Sequence, residues 1–114
     1  MQEGRGVMEE KIGGLDESIL NQIVEIILSY KKVKKIVIFG SRADDNFEDT
    51  SDIDIAIFDK EWTDKDINVV KFNLDEYIKT PLKFDVLNFY ALTKPELKDD
   101  ILKRGKVIYE SAKS

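Results

Sequence analysis

Seven residues near the middle of the chain, Asp52-Ile-Asp-Ile-Ala-Ile-Phe58, repeat with a period of two. Only an extended strand sorts such a pattern into faces: Ile53, Ile55 and Ile57 fall on one, while Asp52 and Asp54 open the other. An isoleucine face has to be covered, so the chain must fold around a sheet. The tetrapeptide Ile36-Val-Ile-Phe39 is apolar throughout and reads as a second, buried strand.

The segments around these strands have the other period. Leu15, Ile19, Ile23, Ile26, Ile27 and Tyr30 recur at three and four, with Asp16, Glu17 and Ser18 favouring a helix start. The basic run Lys31, Lys32, Lys34, Lys35 follows near its C-terminal end, where cations complement exposed carbonyls, and reads as a solvated face. Thr63 is placed to cap a second helix with the stripe Ile67, Val70, Leu74, Tyr77 and Ile78, ending before Thr80-Pro81. Lys83 to Phe89 reads as a third strand carrying Asp85. A short helix from Pro95 to Lys103 is ended by Gly105, and Val107-Ile-Tyr109 reads as a last strand. Helices and strands alternate, so the fold class is α/β or α+β. The 114 residues suffice for one domain, residues 14–114, behind a polar, glycine-rich stretch (1–13) that reads as a flexible leader. Asp44 to Ser51 reads as an exposed, acidic loop.

The available chemistry is narrow. With no His and no Cys, the chain cannot build a Ser-His-Asp triad, an imidazole or thiolate metal site, or a disulfide framework. Carboxylates, hydroxyls, Lys, Arg and backbone groups remain, which points to hard, oxygen-bound cations such as Mg2+. Against 18 basic residues stand 23 acidic ones, a formal charge of -5, which disfavours a nucleic-acid partner. No apolar run approaches the roughly 18 residues of a membrane span, and a cysteine-free chain fits a reducing cytoplasm.

Asp52 and Asp54 start about 7 Å apart on one side of their strand. Such a pair raises a pKa, finds a protein cation or binds a metal ion, and no Lys or Arg adjoins it in sequence. Gly40-Ser41 breaks the preceding strand, either as a turn that offers backbone N–H groups to phosphate or as an ordinary turn with a serine cap. Ten residues, Arg42 to Ser51, separate the two features, giving G-S-x10-D-x-D.

With that spacing, and with FGSRA followed by SDIDIAIF, the chain resembles the nucleotidyltransferase superfamily of the polymerase-β-like fold, specifically its minimal, MNT-type branch. Ile101 to Glu110 is similar to the closing helix, turn and strand of that branch. The resemblance implies a small mixed sheet flanked by helices and a third carboxylate at Asp85. It further implies that Asp52, Asp54 and Asp85 bind two Mg2+ ions, that Gly40 and Ser41 cradle the phosphates of a nucleoside triphosphate, and that Asp85 helps deprotonate the attacking hydroxyl. Arg42 would either neutralise the triphosphate or pair with Asp44 and Asp45, which stand with Asn46 where many relatives have a basic residue and glycine. Trp62, Tyr30, Tyr77 and Tyr109 read as packing or rim residues rather than base-stacking groups or acceptors. Members of this branch often accompany a HEPN-domain RNase toxin and adenylylate a tyrosine on it from ATP. The resemblance therefore implies an antitoxin, with the acceptor surface supplied by a partner or another subunit. The other readings are an antitoxin that acts by contact alone, a small-molecule nucleotidyltransferase, which the short chain disfavours, and a D-x-D phosphatase, whose nucleophile would follow a strand rather than precede one.

Overall fold

Local capping chemistry sets where each long helix begins. The computed structural model describes residues 12, 14–43 and 52–112. Helix α1 (Glu17–Tyr30) opens at Asp16, whose Oδ1 accepts the N–H of Ile19 at 3.1 Å. Helix α2 (Asp64–Tyr77) opens at Thr63 in a full capping box: Thr63 Oγ1 accepts the Asp66 N–H, and Asp66 Oδ2 accepts the Thr63 N–H. Pro95 at the first turn starts α3 (Pro95–Arg104).

Four strands, β1 (Lys35–Phe39), β2 (Ile53–Phe58), β3 (Phe84–Asn88) and β4 (Lys106–Glu110), form a mixed sheet in the order β3-β2-β1-β4. β1 pairs antiparallel with β2 and with β4, whereas β2 and β3 run parallel, which needs the crossover that α2 supplies. Period two then divides the core. On one face Ile36, Ile38, Ile53, Ile55, Ile57 and Phe84 are fully buried beneath α1 and α2, which contribute Leu20, Ile23, Ile27, Val70 and Leu74. On the other face Val37, Phe39, Ala56, Phe58 and Phe89 form a smaller cluster closed by Ile101 of α3. The expected small mixed sheet flanked by helices is what the chain forms.

Several details differ from the expectation. In α1 the buried stripe is Leu20, Ile23 and Ile27, while Ile19 and Ile26 are only partly covered, because the helix meets both the sheet and α2 along a narrower line. Tyr77 does not join the stripe of α2; it is 67% exposed on the last turn. Lys83 and Phe89 fall outside β3, and Phe89 opens a 3-10 turn (Phe89–Ala91). Gly105 closes α3 with φ -61, so no left-handed backbone is involved. Its value is space: a Cβ there would come within 2.5 Å of Val37 Cγ1. The acidic loop lies outside the described residues, as does the leader except for Ile12.

Candidate active site

The pairing register carries three separate stretches of sequence to one end of the sheet. Phe39, the last residue of β1, lies opposite Asp54 in β2, and Asp54 lies opposite Asp85 in β3. The antiparallel β1 therefore ends where the parallel pair β2 and β3 begins. Alternation places Asp54 on the face of Ala56 and Phe58, away from the isoleucines, and Asp85 shares that face. Asp52 immediately precedes β2. Asp52 and Asp85 are exposed and Asp54 is half-buried.

Three carboxylates at one strand end repel one another. Burial first, then the charge of Asp85, then that of Asp52 push the Asp54 carboxyl up to about 6. Gly40 completes the cradle. Its φ of +80 is a conformation that glycine adopts freely, and a Cβ on it would collide with Asp54 Oδ2. The glycine thus lets the backbone after β1 lie directly against the Asp54 carboxylate. Ser41 follows in a single 3-10 turn (Gly40–Arg42), closed by the Ala43 N–H to the Gly40 carbonyl at 3.0 Å. Arg42 is only 3% exposed and engaged within the protein.

Asp54, Asp85 and Gly40 are therefore direct neighbours, with Asp52 coupled to them through its charge and Ser41 one residue along the turn. Asp44, Asp45 and Asn46 lie outside the described residues. The donor set fits a hard divalent cation: it is all oxygen, and a cation relieves the mutual repulsion that raises Asp54. Among the described residues no three acidic side chains are grouped closely enough to hold a metal ion.

The aromatic residues lie elsewhere. Trp62, in the loop before α2, is 4% exposed, donates Nε1–H to the Lys32 carbonyl at 2.7 Å and meets Tyr30 edge-on. It is a packing residue. Sequence reasoning missed a large cavity at the opposite end of the sheet, built in part from the lysine run after α1. The run itself was the signal, but only the fold folds it around a hollow.

The family model for polymerase beta nucleotidyltransferases matches residues 21–114. No curated protein matches the sequence significantly. Among solved structures, the chain is similar to the complex of the tri-AMPylated Shewanella oneidensis HEPN toxin with its MNT antitoxin: TM-score 0.65, 18% identity, covering 83% of this chain and 72% of that one. A toxin-antitoxin structure with AMP-PNP gives TM-score 0.64 at 21% identity, covering 82% and 74%. A protein assigned as a nucleotidyltransferase, from Sulfolobus solfataricus, gives TM-score 0.52 at 27% identity, covering 85% and 82%.

Proposed function

This chain belongs to the polymerase β nucleotidyltransferase family, and from that premise we propose that it transfers AMP from ATP to a hydroxyl, a tyrosine's, on a HEPN-domain toxin and thereby acts as the antitoxin. The observation that carries the reading is the register itself: Asp54 beside Asp85, with Gly40 packed against the Asp54 carboxylate. Similarity to MNT antitoxins in HEPN complexes supports the choice of partner.

Each residue has a role in the proposal. Asp52, Asp54 and Asp85 would hold Mg2+, two ions on the family's pattern, and the metal would neutralise charge developing on the transferred phosphate. Gly40 allows the chain to approach the phosphates, and Ser41 supplies backbone N–H and hydroxyl donors to them. Arg42, the buried last residue of that turn, would supply positive charge to the triphosphate. Asp85 accepts the proton of the acceptor hydroxyl. The hydroxyl oxygen then forms a bond to the α-phosphorus as the bond to pyrophosphate breaks, leaving AMP as a phosphodiester on the acceptor. Positioning and charge stabilisation account for catalysis of this kind, with little covalent work for the protein.

The experiment is intact-protein mass spectrometry of this chain with the product of its neighbouring gene after incubation with MgATP, beside an Asp52→Ala, Asp54→Ala control. The expected result is added AMP on the partner, absent from the control. A stable complex without added mass would replace the transferase with an antitoxin that acts by contact.

A further inference from the structure

The end of the sheet remote from Asp54 and Asp85 carries a cavity of about 1010 Å³, lined by Lys31, Lys32, Lys34 and Lys60 together with Tyr90 and Tyr109. Its walls are four separate stretches: residues 31–34 after α1, residues 59–61 after β2, Tyr90 in the turn after β3, and the end of β4. Loops in such places are ordinarily mobile. Here hydrogen bonds fasten them to one another and to the core. Lys31 Nζ donates to the Glu61 carbonyl at 2.9 Å, and Trp62 Nε1 to the Lys32 carbonyl at 2.7 Å. Asn88 Nδ2 donates to the Asp59 carbonyl at 2.9 Å, and the Ser111 N–H to the Lys34 carbonyl at 2.8 Å. The hollow is a preformed one, as binding sites generally are.

Its charge opposes that of the whole chain. Lys32, Lys34 and Lys60 are exposed. Of the two acidic residues in the lining, Asp59 is only 6% exposed and accepts the Glu61 N–H at 2.9 Å, while Glu61 is exposed and is outnumbered by the three exposed lysines. Tyr90 is half-exposed, with the Lys60 ammonium 5.3 Å from its ring centroid. Ammonium groups can meet phosphates, and an accessible ring can stack on a base. The two occur together here. The six residues of β2 put about 20 Å between this cavity and the carboxylate end. That is about twice the distance over which physiological salt screens a charge. The formal charge of -5 is therefore a poor guide to this end of the molecule.

We propose that this groove binds a single-stranded polynucleotide, with Lys32, Lys34 and Lys60 meeting phosphates and Tyr90 stacking on a base. Ammonium groups alone would suit any polyanion; the half-exposed ring beside Lys60 selects one that carries bases.

Fluorescence anisotropy of a labelled oligouridylate of about twelve nucleotides, titrated with the full chain in EDTA, tests this. Neither ATP nor Mg2+ is present, so the outcome is independent of the transferase reading. Binding is expected in the range of roughly 1–100 μM, with a slope of log affinity against log salt near -2 from three lysines. Combined Lys34→Glu and Lys60→Glu substitutions should weaken binding at least tenfold and flatten the slope, and Tyr90→Ala should weaken it several-fold. Lys34 and Lys60 are exposed, so the thermal melt of the charge-reversal variant should match that of the parent chain; Tyr90 also meets Phe58 and Phe89 edge-on, so its variant is compared well below its own melting temperature. Binding that is undetectable in low salt, or unmoved by the lysine reversals, overturns the proposal. So does polyglutamate binding as tightly as the oligonucleotide with Tyr90→Ala neutral, which would make the groove a dock for an acidic polypeptide.

Discussion

Gly40 and Asp54 are one unit although thirteen residues separate them in the chain. Gly40→Ala would impose two costs: a side chain in a left-handed conformation, about 1 kcal/mol, and displacement of the Asp54 carboxylate. The expected outcome is a transfer rate at least roughly a hundredfold lower with only a modest loss of stability, since misplacing a reacting group costs that much. Parallel rate assays and urea unfolding would separate the two effects. Asp54 carries the reverse balance. Its folded-state pKa lies above the unfolded value, so its contribution to stability is fully present below about pH 4 and is lost as the pH rises through about 6. In chelator at neutral pH the ionised Asp54 therefore costs stability. Asp54→Asn should stabilise the metal-free protein there by roughly 1 kcal/mol, a figure reduced for its exposed half, and should lose that advantage near pH 4. Thermal melts in EDTA at the two pH values measure it. A site that works by crowding carboxylates destabilises the fold that holds it.

At the scale of elements, the start of α2 is tied to the end of α1 through one carboxylate. Asp66 accepts from Tyr30 Oη at 2.6 Å, Lys31 Nζ at 2.7 Å and the Thr63 N–H at 2.9 Å. The Lys31 hydrogen bond first, then those of Tyr30 and Thr63, hold Asp66 far below the usual carboxylate range. The same bond raises the Tyr30 phenol above its ordinary value. A depressed carboxylate stabilises the fold above its unfolded pKa, near 4, and that contribution drains away as the pH falls further. The parent chain should lose stability steeply below about pH 4. Asp66→Asn should be less stable at pH 7 and flatter in acid, as read from urea midpoints across pH. The cap was legible in Thr63. The tie to Tyr30 and Lys31 was not, because a hydrogen bond between residues 36 positions apart leaves no local pattern.

Across the whole molecule, the two faces of one sheet do different work. The isoleucine face and its two helices supply most of the buried core. Ile55→Ala, at a position with no exposure, should therefore cost about 2–5 kcal/mol. Trp62, the single tryptophan, is buried and reports the unfolding as a red shift in emission. The other face has a smaller core and ends in the carboxylates, so the proposed site occupies the side that contributes less to cohesion. β4 is one open edge of the sheet, and its five residues, the register shift and Lys106 discourage pairing with another chain. The sequence alone determined the strands, the helices, the fold class and the identity of the residues gathered at the carboxylate end. Periodicity and capping are local, and a spaced motif survives in one dimension. The tertiary structure alone decided that Asp54 faces Asp85 in register and that Gly40 has no room for a Cβ. It also decided that Tyr77 stays exposed and that a solvated lysine run becomes the wall of a groove. Register, exclusion and concavity are relations between distant segments, and they exist only once the sheet has brought those segments together.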